Sequence, residues 1–251
     1  MKTRFIYKET IDSTNDEIRR RAEAGEEEGL VISAGEQTKG KGRSGHSWSS
    51  PKHNSIATSI LLRPDMEVEA VSQITIVAAM AVSRAIEKLY GLETSIKWPN
   101  DVVISGKKIC GILTEMMPQN NRSKYVIVGI GINVHDEFFP KEIAEIATSI
   151  DIELGGRGRG SRSELTQALW KEFGKMYEIF LQTQNLEGLK EEYNKKLINI
   201  EKTVHVMSPQ GDYDAISKGI DGNGRLLVSR EGKMERIDSG EVHIRGLYGY
   251  V

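Results

Sequence analysis

Residues 35–48, GEQTKGKGRSGHSW, satisfy two phosphate-binding patterns at once, and the choice between them decides the fold. From Gly40 the spacing is G-x-G-x-x-G through Gly42 and Gly45, the dinucleotide fingerprint. From Gly35 it is G-x-x-x-x-G-K, with Gly42 where a P-loop needs Ser or Thr. A dinucleotide fold requires the glycine loop to open a helix whose N-terminus holds the pyrophosphate. Here Gly45 is followed by HSWSSPKHN, which is polar, contains Pro51 and lacks helical periodicity. The P-loop hydroxyl is a magnesium ligand, and Gly42 has no side chain to supply one. Both readings fail. What remains is physical: glycines 40, 42 and 45 expose backbone N–H groups at low steric cost, with Lys39, Lys41, Arg43 and His46 among them. Such a segment suits an anionic ligand, and a solvated surface loop shares the same composition.

Outward from this loop, LVISAGEQ feeds it as a strand, and FIYKETIDSTNDEIRRRAEAG upstream carries a short apolar stretch and then a helix. Thr14 and Glu17 have capping-box spacing, and Gly25 stops the helix. NSIATSILLRP predicts a second strand ending at Pro64. In VEAVSQITIVAAMAVSRAIEKLYG, helical spacing places Val71, Ile74, Ala78, Ala81, Ala85 and Leu89 on one core face, with Gly91 as the stop. Residues 94–134 then read as strands without intervening helices (TSIKW, DVVIS, KKICGILTEM, KYVIVGIGINV), joined by SGKK and QNNRSK hairpins. That predicts a mainly antiparallel or mixed sheet. Helical segments are expected near 141–149, 163–181 and 186–197. From Thr203, five short β-like runs with tight turns predict a small C-terminal β-barrel, which divides the chain into domains 1–200 and 201–251.

The 251 residues suffice for a large core, and a formal net charge of −2 gives no global field for nucleic acid. The single cysteine, Cys110, excludes an intramolecular disulfide and a cysteine-based zinc site. The N-terminus lacks the apolar run of a signal peptide, and a soluble cytoplasmic protein with no membrane partner is the expectation.

Three further motifs carry candidate chemistry. KWPNDV (97–102) sets Lys97, Asn100 and Asp101 around a strand end, although Asn-Asp after proline is also good turn chemistry. GKKICGIL (106–113) takes Lys107 and Lys108 into an apolar strand, and a lysine on its inward face would need an anionic partner. GIGIN (129–133) places two glycines in a strong strand, a sign either of close approach by another group or of a β-bulge.

In this order, D-S-T-N, Q-T-K-G-x-G-R-x-G-x-x-W-x-S-P, K-W-P-N-D, K-x-x-G-I-L and G-I-G-I-N resemble the biotin–protein ligases, and AISKGIDGNGRLLV…SGEVHIRG is similar to their SH3-like C-terminal barrel. The resemblance implies an α+β fold, a mixed and largely antiparallel sheet backed by helices (class II synthetase-like). It implies activation of biotin by MgATP to biotinyl-5′-AMP, then transfer to a lysine of a biotin carboxyl carrier protein domain. A carboxylate attacking an α-phosphate brings like charges together, which explains the cations. By resemblance, Lys108 contacts the biotin carboxylate and the phosphoryl group, and Arg43 orders the loop over the adenylate. Ser13, Thr14, Gln37, Gly40, Gly111, Leu113 and Gly131 form the biotin site. Lys41, Trp48, Asn100 and Asn133 join Lys108 and Arg43 around the nucleotide. Asp101 orients the carrier lysine and is the candidate Mg2+ ligand. A homodimer is a further candidate assembly.

The family loop usually reads G-R-G-R-x-G-R-x-W, whereas Lys41 and His46 occupy two of the arginine positions here, which implies a looser grip on the adenylate. The GGRGRGSRSE run (155–164) uses the same alphabet but leads into a helix, and it reads as a connecting loop. A lipoate–protein ligase shares the acyl-adenylate chemistry and is the nearest enzymatic rival. A biotin-responsive DNA-binding regulator is the alternative of another class, but D-S-T-N at residue 12 leaves no room before it for a winged helix.

Overall fold

The computed structural model describes residues 1–48, 52–136, 138–156, 158–208, 211–239, 243–246 and 251. Along the chain the elements are β1 (Arg4–Ile11), α1 (Thr14–Glu23), β2 (Leu30–Gln37), β3 (Ser55–Leu62), α2 (Ser72–Tyr90), β4 (Ser95–Lys97), β5 (Asp101–Ile104), β6 (Lys107–Gln119) and β7 (Arg122–Asn133). There follow α3 (Ile150–Glu153), α4 (Arg162–Thr183) and α5 (Lys190–Lys196). The last strands are β8 (Thr203–Met207), β9 (Tyr213–Ile220), β10 (Leu226–Arg230), β11 (Lys233–Ile237) and β12 (His243–Gly246).

Seven strands form one sheet in the order β1-β2-β3-β7-β6-β5-β4. Strands β1 and β2 are parallel, and every other neighbouring pair is antiparallel. This is the expected mixed, largely antiparallel sheet. Two-residue turns with positive φ make its hairpins: Ser105–Gly106 (51° and 77°) before β6, and Asn120–Asn121 (52° and 61°) before β7. Positive φ at both central residues matches the strand twist, which is why Asn and Gly occupy three of the four positions, with Ser105 at the other.

Alternation sorts the side chains of this sheet onto two faces. On β7, Val126, Val128, Ile130 and Ile132 enter the main core with α2 and α4, while Tyr125 and Ile127 meet Ile18 and Ala22 of α1 on the other face. Continuing along that second face, the next alternate positions are Gly129 and Gly131. There the helical cover ends and the site begins.

Helix α2 is buried almost all round, from Ile74 through Ile86. Together with the preceding 3₁₀ turn it makes a stretch, Val68–Tyr90, long and apolar enough to cross a membrane, but the apolar part of it is 72% buried inside this fold. Gly91 caps the helix at φ 67°. Leu89, expected on the core face, is 39% exposed instead. Sheet and α4 enclose the helix, so its buried surface is wider than one stripe.

The small sheet at the C-terminus is antiparallel, in the order β11-β10-β9-β8-β12. Its Val204, Val206, Ile220 and Val228 join the main apolar core. At the junction, Trp98 Nε1 donates to Gly224 O at 3.0 Å. All five C-terminal strands appear where the sequence places them, with Glu241 and Val242 outside the described residues.

Three local expectations change. The N-cap of α1 is Ser13, whose hydroxyl accepts from Asp16 N, and Thr14 is the first helical residue. Thr14 is thereby released to bond across to Gln37. Residues 141–146 form turns, not a helix, Ala147 bridges Lys108, and α3 begins only at Ile150. The physical reason is a tertiary bridge: Lys108 N donates to Ile146 O at 2.7 Å, and Thr148 N donates to Lys108 O at 2.9 Å. Those carbonyls and amides are spent on β6 rather than on helix propagation. Finally, α5 is shorter than the expected 186–197 segment.

Candidate active site

The glycine loop enters no α-helix among the described residues: Arg43–Gly45 makes one 3₁₀ turn. The loop folds on itself as a narrow ribbon. Gly42 N donates to His46 O at 2.7 Å, Trp48 N donates to Gly40 O at 3.0 Å, and Lys41 bridges Ser47. The Ser50–Pro51 end of the motif lies outside the described residues.

This ribbon covers a pocket floored by the paired residues Gly111 of β6 and Gly131 of β7. The absence of side chains there is a packing requirement. A Cβ on Gly131 would lie 2.3 Å from Trp48 Cε2, and one on Gly111 would lie 2.9 Å from Trp48 Cζ3. Gly129 is covered by Asn15, whose Oδ1 would be 2.1 Å from an added Cβ. The GIGIN glycines are therefore sites of close approach. No register shift interrupts β7 against β3 or β6 at these positions, so the bulge alternative falls.

One end of the pocket is polar and neutral. Gln37 Oε1 accepts from Thr14 N at 2.8 Å and from Thr14 Oγ1 at 3.0 Å. Ser59 Oγ lies 2.7 Å from Thr14 Oγ1 and 2.6 Å from Asn15 Oδ1. Asn15 Nδ2 donates to Glu115 Oε2 at 2.6 Å. Ser13, Thr14 and Asn15 are all buried. Amide and hydroxyl groups of this kind can give and accept hydrogen bonds to a neutral polar ligand head.

The other end is cationic. Lys108 Nζ lies 2.7 Å from Asp101 Oδ1 and 5.7 Å from the centre of a Trp48 ring. Asp101 is thus the anionic partner that a lysine on this strand requires. Arg43 Nη1 donates to Asn100 Oδ1 at 2.8 Å, and Nη2 donates to Ser239 O, just after β11, at 2.6 Å. Burial pulls the Arg43 guanidinium below its ordinary value, opposed by the charge of Asp101. Lys41 Nζ pairs with Asp16 Oδ1 at 2.6 Å.

Ser13, Thr14, Gln37, Lys41, Arg43, Trp48, Asn100, Lys108, Gly111, Leu113 and Gly131 all line this one pocket. Gly40 stands beside it, against Trp48 O and Gln37 Nε2. Asp101 lies behind Lys108. Asn133 is not on the lining: it is buried at the end of β7, and its Nδ2 donates to Thr148 O at 3.0 Å. Asn15 and Gly129 also line the pocket and were not among the expected site residues, although Gly129 had been read as a point of close approach. Both were visible, one as the last letter of D-S-T-N and the other as the first glycine of GIGIN. The free volume left in the pocket is only about 50 Å³, because Trp48 fills the floor, and its Nε1 is buried without a hydrogen-bond partner.

The second glycine run holds an anion of its own. Gly158 N and Gly160 N donate to Asp151 at 2.5 and 2.7 Å, and α4 follows, as a connecting loop should. Arg157 lies outside the described residues.

Residues 7–133 match the model of the biotin/lipoate A/B protein ligase family. The chain belongs to that family. Residues 200–245 match the biotin protein ligase C-terminal domain. The chain is 34% identical over 242 residues to the bifunctional ligase/repressor BirA of Bacillus subtilis, covering 96% of this chain and 74% of that protein. It is 32% identical over 241 residues to the biotin–[acetyl-CoA-carboxylase] ligase of Mycobacterium tuberculosis, covering 93% and 86%. Its fold superposes with a TM-score of 0.85 on a biotin protein ligase from Aquifex aeolicus in complex with biotin and ATP, at 28% identity and covering 98% and 100% of the two chains. Within this ligase family, the two ends of the pocket, neutral and cationic, gain a common purpose.

Proposed function

We infer that this chain is an ATP-dependent biotin–protein ligase. It joins biotin to AMP and then passes the biotin to a lysine of a protein substrate. The observation that carries this reading is the meeting of Lys108 and Arg43 at one end of a glycine-floored pocket whose other end is the neutral polar group of Thr14, Gln37 and Asn15. The ureido group of biotin suits the neutral end, and its carboxylate then points toward the cations.

In the first step a biotin carboxylate oxygen attacks the α-phosphorus of ATP, and the bond to the departing diphosphate breaks. Both reactants are anionic, so Lys108 and Arg43 lower the barrier by meeting the charge that gathers between them. In the second step a lysine amine of the acceptor attacks the acyl carbon, the bond to AMP breaks as AMP leaves, and the amine gives up a proton to solvent. Asp101, 2.7 Å from Lys108, is the carboxylate placed to orient that amine. Between the steps the Gly40–Trp48 ribbon keeps water from the mixed anhydride.

Magnesium enters through its donor set. Among the described residues no three His, Cys, Asp or Glu side chains converge on a metal position. A single carboxylate, Asp101, fits an ion that arrives on the ATP phosphates and keeps most of its ligands as phosphate and water. When bound, Mg2+ neutralises phosphate charge.

The match of residues 200–245 to a biotin protein ligase domain favours biotin over lipoate. It also supports a division near residue 200. A biotin carboxyl carrier domain in the cytoplasm is the acceptor we propose. The deciding experiment supplies ATP, a carrier domain and labelled biotin or lipoate, and compares wild type with Lys108→Ala and Arg43→Gly. We expect label transfer from biotin alone, no adenylate from Lys108→Ala, and adenylate leakage from Arg43→Gly. Transfer of lipoate in place of biotin, or normal transfer by Lys108→Ala, overturns the reading.

A further inference from the structure

Lys41, on the glycine ribbon, is tied to helix α1. Its Nζ lies 2.6 Å from Asp16 Oδ1, and the same oxygen lies 2.5 Å from Arg19 Nη1. Arg19 Nη2 continues to Glu115 Oε1 at 2.6 Å, and Glu115 Oε2 accepts from Asn15 Nδ2 at 2.6 Å. Asn15 in turn covers Gly129 on the pocket floor. A continuous line of charge-assisted hydrogen bonds thus runs from the ribbon to the floor, with Asp16 where the two halves meet. The backbone bond from Lys39 N to Asp12 O fastens only the base of the loop.

We propose that Asp16 is a positioning residue: it latches Lys41, so that the ribbon stays folded over the pocket, and through Arg19 and Glu115 it holds Asn15 in place. The role rests on the reading of this pocket as one that retains an acyl-adenylate. Lys41 then works on the position of the loop, and the phosphate is left to Arg43 and Lys108. Lysine suffices at this point of the loop because a single carboxylate oxygen is its partner, which needs no bidentate fork. The Lys41 side chain is 43% exposed and that of Asp16 is 19% exposed, so the latch is modest. Exposed ion pairs shift an equilibrium by up to about fivefold.

The test uses the full-length protein as wild type, Asp16→Asn, Lys41→Met and the double variant. Two quantities are read: hydrogen exchange at the Gly42 and Trp48 amides without ligand, and the rate at which biotinyl-5′-AMP leaves the loaded enzyme. Each single variant should raise both by about three- to fivefold, and the double variant should match Asp16→Asn, since that substitution already removes the partner of Lys41 along with the partner of Arg19. Additive effects in the double variant, or unchanged exchange in both singles, overturn the latch. The exchange readout needs no ligand. If wild type forms no biotinyl-5′-AMP while exchange changes as expected, the functional reading falls and the latch stands. If wild type forms it and all four proteins retain it equally, the latch falls alone.

Discussion

Lys108 Nζ and Asp101 Oδ1 lie 2.7 Å apart across the β5–β6 pair, with Asn100 Nδ2 donating to that carboxylate at 3.1 Å. The carboxylate holds the ammonium in place until an anionic ligand competes for it. Replacing Asp101 with Asn keeps the size and removes the charge. We expect single-turnover formation of biotinyl-5′-AMP to slow by about 10²-fold, the scale for losing one preorganised electrostatic contact, with biotin affinity nearly unchanged. Formation at the wild-type rate would separate Asp101 from Lys108.

Gly131→Ala tests the pocket floor. The backbone of β7 is extended there, so alanine brings no conformational strain, only a Cβ 2.3 Å from Trp48 Cε2. The indole has to move by more than an ångström or the strands must part. Overpacking of this kind costs about 1–3 kcal/mol. The expected result is a folded protein with biotin binding weakened at least tenfold by calorimetry. Wild-type affinity would mean that the floor has slack the geometry does not show.

Much of this site was legible because its residues sit in short, rigid contexts. Lys108 stood out as a cation entering an apolar strand, and the hairpin glycines and asparagines announced where that strand turned. The capping error at Ser13 and Thr14 arose because both are good caps, and only the contact between Thr14 and Gln37 of β2 decides between them. The lost helix at 141–149 has the same cause on a larger scale: the bridge from Lys108 to Ile146 joins segments distant in sequence. Asp16 was invisible for a related reason. An acidic residue in the first turn of a helix is ordinary helix chemistry, and its partner lies on a loop whose path no local pattern gives.

Trp48 gives an optical test of how the site opens. Its ring lies on Gly131, its Nε1 has no hydrogen-bond partner, and about 50 Å³ of free volume remains. A bicyclic ligand therefore displaces the indole. The other two tryptophans are pinned, Trp98 to Gly224 O and Trp170 to Thr58 Oγ1. Adding biotin should change the emission of wild type and leave that of Trp48→Phe constant. A response of equal size in Trp48→Phe would place the moving chromophore elsewhere.

Asp151 ties stability to pH. Its side chain is 1% exposed and accepts from Gly160 N, Gly158 N and His135 Nδ1. Burial acts to raise its carboxyl, but the hydrogen bonds from Gly160, His135 and Gly158 outweigh it and hold the group below the ordinary carboxylate value. A carboxyl depressed in the folded state stabilises fully above its unfolded value, near ~4, and that stabilisation fades as pH falls through the folded value. Asp151→Asn turns an amide N–H toward backbone donors and leaves buried groups unsatisfied, a loss of about 2 kcal/mol. In a chain of this size that lowers Tm by about 4–8 °C at pH 7. Melts recorded from pH 7 down to 3.5 should show the gap between wild type and variant narrowing only below about pH 4. A gap of constant width across that range would mean that the charge of Asp151 contributes nothing to closing the glycine loop before α4.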